Sequence, residues 1–357
     1  MSYTFRDWGA SATLEEVRHC LWTWMGSGDE HCFESQALAL FRWQARHNAP
    51  YGAFVEAMSV NPQAVYRVED IPFMPVEFFK SHEIKSGSWS TSHVFRSSGT
   101  SATTSRAQHF LDDQGLEWYA KVARLAWKVQ WGQTVERWSW LGLLPGYLGR
   151  EDASLLTMVS DFMTASEGSN EGMLMNDHSA LNAALTNWAI TPSARPMMMF
   201  GVTWAILDWI NGLAGQKDWI DSIPWHQITL LETGGMKGRG VEPIRSEVHA
   251  RIRQALPDIR LASEYGMTEM MSQGYAKDGI HHGFPCWVRP IVRESRDPRS
   301  QGLLDRSGRL DVVDLGNVHS CSFLATGDVA QMTNHGLVIL GRQDHAEVRG
   351  CSLLATP

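Results

Sequence analysis

Over the first seventy or so residues, apolar positions recur every three to four residues. Leu14, Val17, Leu21 and Trp24 would share one helical face, and Leu38, Phe41 and Ala45 repeat the pattern. Prolines at 72 and 75 interrupt it. The stretch Ile71-Pro72-Phe73-Met74-Pro75-Val76-Glu77-Phe78-Phe79-Lys80 is therefore expected to run as an extended connector, because a residue before proline is disfavoured in the helical region. Beyond it, short apolar runs alternate with longer amphipathic ones. Residues 138–144, 155–159, 197–202 and 228–231 have the length and continuity of buried strands, while 113–131, 177–189, 203–213 and 242–256 have helical period. Such alternation predicts an α/β fold with a sheet covered by helices. Residues 285–350 carry strand-like pieces at 310–313 and 337–340 and little helix. Three parts are expected: a helical region over 1–70, an α/β core over 71–284 and a β-rich subdomain over 285–357.

Composition narrows the function classes. A chain of 357 residues with a formal net charge of −8 lacks the basic balance of a nucleic-acid binder. No run approaches the roughly 18 apolar residues of a membrane span, and the N-terminus lacks a basic stretch followed by an apolar one. A cytoplasmic location is expected. The five cysteines, Cys20, Cys32, Cys286, Cys321 and Cys351, form no C-x-x-C pair, which argues against a disulfide framework or a zinc finger. His281, His282, Cys286, His319 and Cys321 are metal-ligand types, but their spacing matches no zinc pattern and they read as turn histidines beside a buried strand. The 16 tryptophans and 16 methionines are scattered through patterned segments, as core-filling residues would be.

Five short strings carry chemistry. In Phe95-Arg96-Ser97-Ser98-Gly99-Thr100-Ser101-Ala102-Thr103-Thr104-Ser105-Arg106, hydroxyls around a glycine suit close approach to a polyphosphate, and Arg106 could add a charge-assisted bond. The string is not a P-loop, and by itself it could be a plain surface turn. Leu230-Leu231-Glu232-Thr233-Gly234-Gly235-Met236-Lys237-Gly238-Arg239-Gly240 reads as a strand entering a permissive cleft or a tight strand-to-helix turn. Ser263-Glu264-Tyr265-Gly266-Met267-Thr268-Glu269 places an aromatic face, a hydroxyl and a possible Mg²⁺ carboxylate within five residues, Tyr265 to Glu269. In Ala325-Thr326-Gly327-Asp328-Val329 and Gly341-Arg342-Gln343-Asp344, Asp328 could accept from two ribose hydroxyls and Arg342 could donate to ribose or phosphate.

In their order, S-S-G-T-S, Y-G-M-T-E, T-G-D and G-R-x-D, the chain resembles the adenylate-forming superfamily over residues 96–350. The leading segment I-P-F-M-P-V-E-F-F-K, the stretch Leu144-Pro145-Gly146-Tyr147-Leu148-Gly149-Arg150 and L-E-T-G-G-M-K-G-R look like the acyl-protein synthetase (LuxE-type) family of fatty-acid-activating enzymes. The resemblance implies an adenylate-forming α/β core without the usual C-terminal lid domain, working with ATP and Mg²⁺. Ser97, Ser98, Gly99, Thr100 and Ser101 would grip the β- and γ-phosphates, with Arg106 as the loop's cation where relatives carry a lysine. Tyr265 would stack on adenine, Thr268 would touch the α-phosphate and Glu269 would ligate Mg²⁺. Asp328 would hold the ribose with help from Arg342, and Gly234 and Gly235 would line the adenine and acyl pockets.

The implied reaction joins a carboxylic acid, most simply a fatty acid, to AMP and then to a thiol. In the resembled family that thiol is a cysteine near the C-terminus, a role carried here onto Cys351, where Arg349, His345 and Arg342 could lower its pKa. An acyl reductase or an acyl-carrier protein would then receive the acyl group. Two other readings remain open at this point: a ligase that uses free coenzyme A or a carrier thiol, as phenylacetate–CoA ligases do, and a nucleotide-binding scaffold without catalysis.

Overall fold

The computed structural model describes residues 8, 11–97, 105–144, 152–167, 177–191, 195–234, 245–295, 297, 300 and 302–342. The N-terminal helices form where periodicity places them. Helix α1 (Leu14–Ser27) begins at a reciprocal cap: the Thr13 hydroxyl accepts from the Glu16 N–H, and the Glu16 carboxylate accepts from the Thr13 N–H. Val17, Leu21 and Trp24 are buried along its inner face. Helices α2 (Phe33–His47) and α3 (Ala49–Ala57) meet at Asn48, whose side chain caps α3 and also donates to the Ser320 carbonyl at 3.0 Å. Gln44 donates to the same carbonyl. Through these bonds the helical region is fastened to residues near the C-terminal end of the described chain, and one hydrophobic core runs through both.

The connector is extended only in part. Strand β1 (Met74–Pro75) pairs in parallel with a later strand, and Val76–Lys80 then winds into a 3₁₀ turn that buries Phe79. Strands β2 (His93–Arg96) and β3 (Gln108–Leu111) form an antiparallel hairpin. Helix α4 (Asp113–Trp131) follows, with the Asp112 carboxylate accepting from the Gly115 N–H at 2.6 Å.

The main sheet then assembles from β4 (Ser139–Leu143), α5 (Ser154–Glu167), α6 (His178–Ala189), β5 (Met197–Gly201), α7 (Thr203–Asn211), α8 (Lys217–Ser222), β6 (Ile228–Glu232), α9 (Arg245–Ala255), β7 (Arg260–Tyr265) and β8 (Gly274–Ala276). Its order is β4-β5-β6-β7-β8, parallel except for β8. Helices α4 and α5 cover one face, where Trp127 and Phe162 pack on Trp140. Helix α7 covers the other, where Ile206 sits against Gly201. A second sheet is built around β11 (Phe323–Thr333), which pairs with β1, β10 (Ser307–Asp314) and β12 (Gly336–Arg342), while β9 (Val288–Arg293) pairs with β10.

One expected strand is a helix. Residues 155–159 lie in α5, and the reason is visible further along: Met158, Val159, Phe162 and Met163 are all buried at helical spacing. A five-residue apolar run does not distinguish a strand from the first turns of a buried helix. The α/β class and the β-rich C-terminal part are as the pattern predicts.

Candidate functional site

The loop between β7 and β8 carries Gly266, Met267, Thr268 and Glu269, and three neighbours hold its backbone in place. His109 of β3 donates through Nδ1 to the Thr268 carbonyl at 2.8 Å. Asn317 Nδ2 donates to the Glu269 carbonyl at 2.7 Å. Asp314, at the end of β10, accepts from the Met271 and Ser272 N–H groups at 2.9 Å each and from the Ser272 hydroxyl at 2.7 Å. Burial lowers the His109 pKa to about 4, so the ring is neutral, and burial also raises Asp314 despite its hydrogen bonds. The loop is thus built on buried polar anchors from another strand pair and from the second sheet.

Four groups converge beside it. The Tyr265 hydroxyl donates to Asp328 Oδ2 at 2.7 Å, and Arg342 Nε lies 3.4 Å from Asp328 Oδ1. The strand register explains the second contact, since Asp328 of β11 faces Arg342 of β12. Gly327 precedes Asp328 at φ +76°, a conformation that side chains strain, and the Thr326 hydroxyl accepts from the Asp328 N–H. Glu269 is buried, and burial pushes its carboxyl up to about 7, with Asp328 adding to the rise and Arg342 and Lys80 opposing it. Burial likewise raises Asp328, against the donors from Tyr265 and Arg342. Two carboxyl groups therefore share a partly dry site with two cations at its margin.

The phosphate-loop candidates are reached only at their shoulders. Ser97 closes the hairpin, donating its N–H to the Ala107 carbonyl and accepting the Ala107 N–H on its hydroxyl. Arg106 pairs with Asp152 at 2.5 Å. The Ser105 hydroxyl donates to the Lys80 carbonyl at 2.6 Å, which brings the loop's far shoulder to the 3₁₀ turn. Ser98, Gly99, Thr100, Ser101, Gly235 and Cys351 lie outside the described residues.

At the end of β6, Gly234 adopts φ +74° and its N–H donates to Glu232 Oε1 at 2.7 Å, an oxygen that also accepts from the Thr203 hydroxyl. Glu232 is buried, with Oε2 taking no hydrogen bond among the described residues and Arg245 Nε 3.7 Å from it. On β7 the Glu264 carboxyl turns back over Gly266, 2.5 Å from where a Cβ on that glycine would lie. Burial and Glu232 push Glu264 up to about 8.

Lys80, Glu232 and Glu264 lie inside the quoted strings without a role assigned to them, and His109, Asp314 and Asn317 lie in none of the strings. The available signal was a charged or polar residue inside an apolar strand pattern, as at Glu232, His109 and Asp314. The histidine and cysteine candidates for a metal are dispersed. His281 pairs with Asp278 at 2.7 Å, His282 donates to the Leu337 carbonyl, and burial drives Cys321 up to about 12. Among the described residues no three metal-ligand side chains group together.

This arrangement of sheets is shared with known structures, although no family model and no curated protein matches the sequence. A 2-hydroxyisobutyryl-CoA ligase bound to its acyl-AMP and CoA in the thioesterification state superposes with a TM-score of 0.62 at 14% identity, over 87% of this chain and 68% of that one. An open conformation of the same ligase gives 0.59 at 14% identity, over 87% and 75%. MatB from Rhodopseudomonas palustris gives 0.49 at 16% identity, over 71% and 48%, so this chain spans about half its length. At these identities the likeness is one of fold: the chain has the α/β fold of adenylate-forming, acyl-CoA ligase-type enzymes. No helix among the described residues is long and apolar enough to cross a membrane.

Proposed function

We propose that this chain is an ATP-dependent acid–thiol ligase that activates a carboxylic acid as its acyl adenylate. The observation that carries the reading is the convergence of Tyr265, Glu269, Asp328 and Arg342, drawn from two sheets, on one partly buried site. These residues come from three of the strings that the resemblance singled out. The shared fold supports the same reading, because the ligase of that fold was solved with an acyl-AMP and CoA.

In this reading Asp328 accepts from the ribose hydroxyls with Arg342 beside it, and Tyr265, its ring fixed by the bond to Asp328, faces the adenine. Thr268 meets the α-phosphate. Ser97, Ser98, Gly99, Thr100, Ser101 and Arg106 take the β- and γ-phosphates, and Gly234 and Gly235 border the adenine and acyl pockets. Glu269 fits a Mg²⁺ site, since its buried carboxyl accepts no side-chain hydrogen bond among the described residues and its oxygens are open to a hard cation. When bound, Mg²⁺ would neutralise charge on the phosphates.

The chemistry then needs placement more than a protein nucleophile. A substrate carboxylate oxygen attacks the α-phosphorus, the bond from that phosphorus to the bridging oxygen breaks, and pyrophosphate leaves. A thiolate next attacks the acyl carbonyl and AMP leaves. We assign that thiolate to Cys351, by the resemblance to acyl-protein synthetases, with an acyl reductase or an acyl-carrier protein downstream. The CoA-bound ligase of the same fold favours a second acceptor, coenzyme A itself.

Intact-mass spectrometry separates the two. With ATP, Mg²⁺ and a panel of acids, a mass gain that hydroxylamine removes and that Cys351→Ser abolishes supports self-acylation. AMP release that requires coenzyme A, with no protein adduct, selects the free-thiol ligase. Absence of acid-dependent pyrophosphate exchange with every acid rejects the acid-activating reading.

A further inference from the structure

Loops run over protein surfaces because a buried one carries backbone groups that need partners. The loop joining β10 to β11 is an exception, since residues 317–322 are all fully buried. Each of its six carbonyl groups is nevertheless paired. His319 accepts from the Ser86 N–H, Ser322 accepts from the Asp314 N–H, and Asn317 Nδ2 reaches along the loop to the Cys321 carbonyl at 2.7 Å.

The other three carbonyls meet one side chain of α2. Gln44 Nε2 lies 3.1, 3.4 and 3.0 Å from the carbonyl oxygens of Asn317, Val318 and Ser320, and Gln44 Oε1 accepts from the Ser322 N–H at 3.0 Å. Gln44 is itself fully buried, so both ends of its amide are committed to this loop. An apolar side chain would pack α2 as well, whereas a buried amide is costly unless its groups are bonded. What these bonds fix is the loop.

The opposite side of the loop faces the candidate site. The same Asn317 nitrogen that reaches Cys321 also donates to the Glu269 carbonyl at 2.7 Å, while the Asn317 N–H donates to the Asp314 carbonyl at 2.9 Å. Gln44 therefore stands one residue removed from Glu269: it holds the Asn317 carbonyl, and the Asn317 side chain holds the Glu269 backbone.

Resting on the assignment of Glu269 to Mg²⁺ above, we propose that Gln44 is a positioning residue for Glu269, acting through Asn317, so that the N-terminal helical region sets the geometry of the metal carboxylate. Loss of such an outer partner changes metal affinity by about 10- to 100-fold.

The test is the Mg²⁺ concentration needed for half-maximal acid-dependent pyrophosphate exchange by the full chain at fixed ATP. Gln44→Met, similar in length and without donors, is expected to raise it about 10-fold while the KM for the acid stays within about 2-fold. Tyr51→Phe controls for stability, because it removes a buried hydrogen bond to the Pro72 carbonyl in the same helical region and leaves the loop's bonds intact. Its melting temperature should fall with the Mg²⁺ requirement unchanged. Asn317→Ser should raise the requirement as Gln44→Met does, and the double variant should need no more Mg²⁺ than Asn317→Ser alone, because both act on one chain of bonds. A folded Gln44→Met with the wild-type requirement, a shift equalled by Tyr51→Phe, or additive shifts in the double variant overturns the proposal. If neither Gln44→Met nor Asn317→Ser folds, hydrogen exchange of the wild type decides: adding Mg²⁺ to the ATP-bound protein should slow amide exchange in peptides covering 36–47 and 315–322, and no change there overturns the proposal. Glu269→Gln separates the relay from the reading beneath it. A wild-type Mg²⁺ requirement in that variant removes the metal from Glu269 and this proposal with it, whereas an altered requirement beside an unaltered Gln44→Met rejects the relay alone.

Discussion

The Tyr265 hydroxyl donates to the Asp328 carboxylate over 2.7 Å and so ties the end of the main sheet to the second sheet. Both groups are buried, and burial raises both pKa values, so neither is readily left without the other. The bond fixes the tyrosine ring and leaves Asp328 Oδ1 toward Arg342. Tyr265→Phe is expected to keep the ring and lose the tether. A net hydrogen bond to a charged group contributes about 1.5–3 kcal/mol, so the KM for ATP should rise roughly 10-fold with a smaller change in kcat. Steady-state exchange kinetics with ATP varied checks this, and an unchanged KM would show that the tether does not shape the nucleotide site.

Asp314 bears on the same site from a distance. Its carboxylate holds the loop after β7 by two backbone donors and the Ser272 hydroxyl, and that hydroxyl in turn accepts from the Trp287 indole at 3.0 Å. Asp314→Ala leaves buried N–H groups unpaired, and a loss of about 3–5 kcal/mol in unfolding free energy is expected. Denaturant unfolding would read it. Asp314→Asn keeps an acceptor oxygen and should recover a substantial part of that loss.

These anchors show where the sequence was legible. Helices α1, α4 and α6 and strands β4, β5 and β6 follow from spacing alone, because each buries one continuous apolar set. The motif residues Tyr265, Glu269, Asp328 and Arg342 were found as strings, and their meeting depends on β11 and β12 bringing Asp328 opposite Arg342. Asp314, Asn317 and His109 were not legible as anchors, since a polar residue in a strand signals a partner without naming it, and these partners lie 42, 48 and 159 residues away. The connector failed for a related reason. Its prolines announce extended backbone, but the pairing of Met74 with Leu324 and the winding of the next five residues are set by tertiary contacts.

His109 gives the pH prediction. Folded, its pKa is about 4, and unfolded it is near 6.5, so between those values the unfolded state binds more protons. Its contribution is present above pH 6.5 and is lost as pH falls toward 4, by about 1.4 kcal/mol per pH unit. Glu264 and Glu269 act with the opposite sign, because their folded values of about 8 and about 7 exceed 4.5 and stability falls as pH rises through that range. Comparison with His109→Gln isolates the histidine. The stability gap between wild type and variant should shift by about 3 kcal/mol in favour of the variant between pH 6.5 and 4. Parallel denaturation curves at several pH values measure it, and a constant gap would mean that the ring is not held neutral.

Glu269 supplies the metal prediction. In the proposed role, with its carboxyl raised to about 7, a proton and Mg²⁺ would compete for the same buried oxygens. As pH falls below 7 the protonated form grows, so the Mg²⁺ concentration needed for half-maximal exchange should rise, approaching 10-fold for each further pH unit when a single proton is displaced. Above pH 7 the requirement should level off. Glu269→Gln removes the competing proton together with the negative charge, and its Mg²⁺ requirement should be high and nearly flat across the same range, with activity reduced about 100-fold or more. Exchange assays titrated with Mg²⁺ at fixed ATP and several pH values distinguish the two curves. A wild-type requirement as flat as the variant's would place the metal on other ligands, and Glu269 would then serve only to complete the charge balance with Arg342, Lys80 and Asp328.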